Sequence, residues 1–197
     1  MSTEVYRELL SKADSDDVKQ GRSWYSAAHN RILALASESG YTPEQVAGVT
    51  AVLSPMVEWN LNWKAAAQFC KSKGKARGVP GFTRNREKAK NILANKDTVE
   101  EYVRGPKVNP FYHTLLDPSY PMATIDTQMI AAFYKGVAYR DDLKIISDSP
   151  KRQEPLRQAL QKIAAEKGWT VPEVQAVIWL TFKRLNGPYA DQLKLFK

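Results

Sequence analysis

The sequence has one cysteine, Cys70, and only two histidines, His29 and His113. A single thiol excludes an internal disulfide, a cysteine-ligated iron–sulfur cluster and a cysteine-based zinc site. There is no EF-hand loop and no histidine-rich spacing, so only a carboxylate-built metal site stays open, and no cofactor is expected. Chemistry then falls to Lys, Asp, Glu, Ser, Thr or Tyr. No stretch approaches the roughly 18 uncharged apolar residues that a membrane span needs. The opening "MSTEVYRELLSKADSDD" is acidic and polar rather than basic and then apolar. The expectation is a soluble, cytoplasmic protein. Internal repeats, low-complexity linkers and sustained polar–apolar alternation are also missing, which argues against a sheet.

What is present reads as a globular chain. Of 197 residues, 43% are hydrophobic and 25% charged, with five Trp, nine Tyr and six Phe, unlike a disordered segment. Lys and Arg outnumber Asp and Glu by 29 to 21, a net charge of +8. That balance favours a polyanionic partner, nucleic acid before an acidic membrane surface. The excess is concentrated in "CKSKGKARGVPGFTRNREKAK", residues 70–90, where Lys71, Lys73, Lys75, Arg77, Arg84, Arg86, Lys88 and Lys90 face one Glu.

The pattern is helical almost throughout. Trp24, Ala28, Ile32, Leu35 and Ala36 recur at three- and four-residue intervals over 17–38, as one buried face requires. Thr42, Pro43 and Gln45 read as an N-cap, a first helical residue and the partner of a capping box. Ser54 and Pro55 repeat that start, which predicts two helices meeting at a corner near Leu53. Residues 73–82 read as a loop. Shorter helices are expected over 84–95, 98–103 and 106–116, then over 126–135 and 154–167, with "SDSPKRQEP" as a separator. A final helix opens with Thr170 and Glu173 as a capping box. The predicted class is all-α.

Two short segments stand out for chemistry. "RGPKV" places Lys107 at a helix start, and "TIDTQM" places Asp126 nineteen residues later. Locally, Lys107 reads as an ordinary surface lysine and Asp126 as an N-cap. Together with the helix pair "AVLSP…KAAAQF" and the following "NREKAKNIL", the order resembles the helix-hairpin-helix DNA glycosylase superfamily, which includes endonuclease III and 8-oxoguanine DNA glycosylase. The resemblance covers about 44–135 and points to the cluster-free branch.

The resemblance implies a two-lobed glycosylase-like fold: 1–197 as one compact unit, 40–120 as the central lobe, and 1–39 with 121–197 as the second. It implies excision of a damaged or modified base from double-stranded DNA, with associated lyase activity, by a monomer. Lys107 would be the Schiff-base nucleophile and Asp126 the carboxylate that stabilises positive charge on the sugar. A helix start, with Arg104 close in sequence, favours the neutral amine that attack requires. Met56 takes the place of a base-replacing wedge. The hairpin is degenerate: Tyr102, Val103 and Arg104 replace its usual residues, and only Gly105 is retained, so Arg104 and Gly105 are what is left for the phosphates.

The other candidates carry two readings each. Trp59 and Trp63 lie four apart and serve as core or as a base pocket, and Phe111 and Tyr112 follow Lys107 by about one turn. Glu58, Asn60 and Asn62 are candidate polar pocket residues. Trp179 and Phe182 are expected in the core. Lys73, Lys75, Arg77, Arg84, Arg86 and Lys88 form a solvated face or a phosphate-binding surface. Two further functions fit the same sequence: a DNA base-modifying enzyme on this fold, and a non-catalytic DNA-binding module.

Overall fold

A computed structural model describes residues 2–134 and 140–187. Among these the chain is all-α, with eleven α-helices, a 3-10 turn at Lys96–Thr98, and no strand. The helices are α1 (Ser2–Ser11), α2 (Ser15–Ser39), α3 (Pro43–Leu53), α4 (Trp59–Lys71), α5 (Thr83–Ala94) and α6 (Val99–Tyr102). They continue as α7 (Val108–Leu116), α8 (Thr127–Phe133), α9 (Arg140–Ser147), α10 (Pro150–Lys167) and α11 (Val171–Asn186). No helix among the described residues is long and apolar enough to cross a membrane. Contacts divide the chain into a central unit, Ser26–Asp117, and a second unit made of the residues up to Tyr25 and those from Pro118 on. The expected central lobe, 40–120, and this unit share residues 40–117, and the unit also takes in the part of α2 from Ser26 on.

The central unit is organised by α3. Every residue of α3 from Gln45 to Leu53 is buried, as its nearly unbroken apolar sequence demands of a helix covered on all sides. Thr42 and Gln45 close the expected capping box around Pro43. Buried Gln45 also donates from Nε2 to the carbonyls of Ile92 (2.9 Å) and Leu93 (3.2 Å), satisfying acceptors that the end of α5 leaves open. Gly48 lets a neighbouring helix approach: a Cβ there would lie 2.8 Å from Val99 Cγ1.

The corner after α3 differs from the sequence expectation. Ser54 is the C-cap of α3, not the N-cap of α4; its backbone is helical and its hydroxyl donates to Ala51 O at 2.9 Å. A turn intervenes, and the N-cap of α4 is Glu58, whose Oε2 accepts from the N–H groups of Asn60 (2.9 Å) and Leu61 (3.4 Å). A Ser–Pro pair suits a helix start, but here Pro55 follows a helix that has just ended, which is equally compatible with its missing N–H.

The second unit packs α1, α8, α10 and α11 around Tyr6, Ile125, Met129, Leu156, Leu160, Ile163, Ile178 and Phe182, all buried. Tyr6 donates its hydroxyl to Met129 O at 2.9 Å. Gly21 of α2 meets α11 so closely that a Cβ would fall 2.6 Å from Val177 Cα. Asp17 Oδ2 accepts from Thr181 Oγ1 (3.1 Å) and from Arg184 Nε (2.9 Å) and Nη2 (2.7 Å). Burial opposes the charge of Asp17, yet the bonds from Arg184, the Asp14 backbone and Thr181 hold its carboxyl below the ordinary range.

Two elements here depart from the expectation. Helix α9 falls in a stretch read as having no helix, and α10 begins at Pro150, capped by Ser149, four residues before the expected start. Pro155 is the last residue of the segment expected as a separator. It lies in the second turn of α10, where its missing N–H forgoes one intrahelical bond. The expected end of α8 at 135 lies outside the described residues.

Candidate active site

In the central unit the turn from Ser54 to Val57 gathers the candidate groups. Val57 N–H closes it on Ser54 O at 3.2 Å, with Pro55 and Met56 in the middle. Met56 has φ 63°, a left-handed conformation that usually takes Gly at this place in a turn, and its side chain is 72% exposed. A β-carbon there costs on the order of 1–2 kcal/mol, so the rest of the unit holds an exposed apolar side chain in a strained position. The same Ser54 carbonyl accepts from Lys107 Nζ at 3.4 Å. Lys107 is half-buried and occupies the N-cap position of α7 without a side-chain cap bond. Its amine therefore lies beside the Met56 turn.

The approach to Lys107 requires glycine. Gly105 has φ +113°, a conformation that other residues rarely adopt, and Asn109 N–H reaches back to its carbonyl at 3.1 Å. One helical turn beyond Lys107, buried Phe111 meets Trp59 edge to face with centroids 6.2 Å apart, and Trp59 lies 6.2 Å from Trp63 at 34°. Both tryptophans are half-buried, so they stand between the core and the pocket readings. Tyr112 is buried, and burial, then the charges of Glu100 and Glu44, pushes its phenol well above the usual range.

The polar candidates separate. Glu58 is occupied as an N-cap, Asn60 is exposed, and Asn62 is buried in α4. Asn62 donates from Nδ2 to Thr50 O at 3.1 Å, while its Oδ1 has no partner among the described residues.

The basic segment also divides by role. Arg86 holds its own loop, donating to Val79 O (3.2 Å), Gly81 O (2.7 Å) and Thr83 Oγ1 (2.8 Å). Lys71 and Lys90 pair with Glu38 (2.8 Å) and Glu87 (2.7 Å). Lys73, Lys75, Arg77 and Arg104 are exposed and Lys88 half-exposed, without a carboxylate at ion-pair distance among the described residues. Arg84 lies over the exposed Phe82 ring at 5.4 Å. This loop is packed on the Met56 turn, since a Cβ on Gly81 (φ +100°) would stand 3.7 Å from both Leu53 O and Val57 Cγ2. Lys107, Met56 and the Gly81 end of this loop therefore belong to one neighbourhood of the central unit.

Asp126 belongs to the second unit and is the N-cap of α8. Its Oδ1 accepts from Met129 N–H at 2.8 Å, as the local reading required. Its Oδ2 accepts from the indole N–H of Trp179 at 3.2 Å. Trp179 packs against the hydrophobic core, as the pattern implied, but at its edge. It is half-buried and its N–H is used, whereas Phe182 is buried as expected. The chain leading to Asp126 is anchored by buried Arg157, which donates to Ala123 O at 2.6 Å and to Gln153 Oε1 at 2.9 Å. Tyr6 and Tyr25 are buried nearby, and burial, with the Asp126 charge adding to it, keeps both phenols protonated. Nothing beyond helical periodicity marks Trp179 or Arg157 in the sequence.

The fold and these groups define an all-α protein with a half-buried lysine at a helix start in one unit and a fixed carboxylate at a helix start in the other. The chain belongs to the family described as "Family of unknown function (DUF7178)", whose model matches residues 2–186. No curated protein and no solved structure matches it.

Proposed function

We propose that the chain is a DNA N-glycosylase with associated AP-lyase activity on the two-lobed helix-hairpin-helix glycosylase fold, acting in the cytoplasm as a monomer on double-stranded DNA that carries a damaged or modified base. The observation that carries this reading is the placement of Lys107 Nζ on the Ser54 carbonyl, beside a strained turn that exposes Met56.

The chemistry follows from the two groups. Cleavage of the base–sugar bond leaves the electron pair with the base and positive charge on the sugar, which the Asp126 carboxylate stabilises. The neutral amine of Lys107 bonds to the anomeric carbon and loses its protons as the sugar ring opens to an imine. Loss of a proton from the adjacent carbon then expels the 3′ phosphate, and water releases the enzyme. The target base has to leave the stack, for which Met56 supplies a wedge and Trp59, Trp63 and Phe111 supply aromatic surface. Lys73, Lys75, Arg77 and Arg104 provide uncommitted positive charge for the backbone.

The test is a panel of duplexes with oxidised, deaminated or hypermodified bases, and one with an abasic site. Free base and a β-elimination product are expected. An intact strand whose base gains mass would contradict excision and favour base modification.

A further inference from the structure

The hydrogen bond at Asp126 Oδ2 goes beyond capping. Oδ1 is satisfied by the helix it caps, so a purely structural aspartate would leave Oδ2 to solvent. Instead Oδ2 accepts the Trp179 indole N–H, and the Trp179 ring is itself fixed on two sides. Lys183, one turn on in α11, places its ammonium 4.1 Å from the ring centroid, and Trp24 packs against it at 65° with centroids 6.3 Å apart. A cation over the ring draws electron density from the indole and makes its N–H a better donor. Indole is a donor only, so this contact neither takes a proton from the carboxylate nor competes for a cation.

We infer that Trp179, backed by Lys183, is a positioning residue that fixes the second oxygen of Asp126 and so preorganises that carboxylate for stabilising sugar charge. This rests on the proposed glycosylase reading. A preorganised carboxylate needs no reorientation as charge develops.

The test replaces Trp179 with benzothienylalanine, which keeps the ring shape and changes the N–H to sulfur, and with 7-azatryptophan, which keeps the N–H. Trp179→Phe serves as a genetically simple third variant. Base release in single turnover is expected to fall about 10- to 100-fold with benzothienylalanine, the range for a hydrogen bond to a charged group, and to be restored by 7-azatryptophan. Duplex affinity should be unchanged. In the same full-length chain, the indole N–H resonance of Trp179 should shift on Asp126→Asn, which keeps one oxygen for the cap and removes the charge. An active wild type whose benzothienylalanine variant releases base at full rate, or a Trp179 resonance indifferent to Asp126→Asn, overturns this assignment alone. A wild type that releases no base overturns the glycosylase reading and this assignment with it.

Discussion

Lys107 and Asp126 both stand at helix starts, yet the two units hold them differently. Asp126 is fixed through both oxygens, one by the helix it caps and one by Trp179, on a segment anchored by Arg157. Lys107 opens α7 without capping it, and its amine reaches the Ser54 carbonyl at 3.4 Å. The contrast matches the roles proposed for them. A group that stabilises charge works best when it cannot move, whereas a nucleophile has to reach its carbon, lose protons and let go again. The difference also says which residue can be altered without disturbing the fold.

The comparison breaks most sharply at Lys107. Lys107→Ala should reduce nicking at an abasic site to background while stability changes by no more than about 0.5 kcal/mol, because no cap is lost. Activity and thermal melting on the same sample check this. Asp126 should behave in the opposite way, with activity and stability mixed. Asp126→Asn keeps one oxygen for the cap, removes the charge and turns an NH2 toward the Trp179 N–H, so base release should drop on the order of 100-fold with a stability loss of no more than about 1 kcal/mol. Asp126→Ala should add a stability loss of about 1 kcal/mol to the same catalytic defect, separable by denaturant melts.

A smaller effect distinguishes the packing. Gly21→Ala drives a Cβ into the Val177 backbone and should cost the second unit about 1–3 kcal/mol, read from its melting midpoint. Smallest is the loss of one exposed cation. Lys75→Ala should leave stability unchanged and lower the slope of log affinity against log salt by about 0.9 if that side chain meets a phosphate. An unchanged slope removes Lys75 from the interface.

Much of the fold was legible because it rests on local chemistry. The Thr42–Gln45 and Thr170–Glu173 boxes, the buried face from Ala28 to Ala36, and Asp126 as a cap all follow from residue type and spacing. Ser54 was misread because Ser–Pro suits either end of a helix, and only the tertiary course of the chain decides between them. Pro155 hid the start of α10, since a proline in the second turn resembles a stop. Lys107 and Asp126 stand out as candidates by their spacing. Trp179 does not, because its indole reaches Asp126 across 53 residues and nothing in α11 advertises that bond. Arg86 read as one more free cation, although its three acceptors lie in its own loop.

The most direct measurement is borohydride trapping on a duplex with an abasic site, wild type beside Lys107→Ala, since this substrate requires no knowledge of the target base. The account predicts a covalent protein–DNA adduct in the wild type that is absent from the variant. No adduct in the wild type with tight duplex binding retained, or an adduct of equal yield in Lys107→Ala, would contradict it.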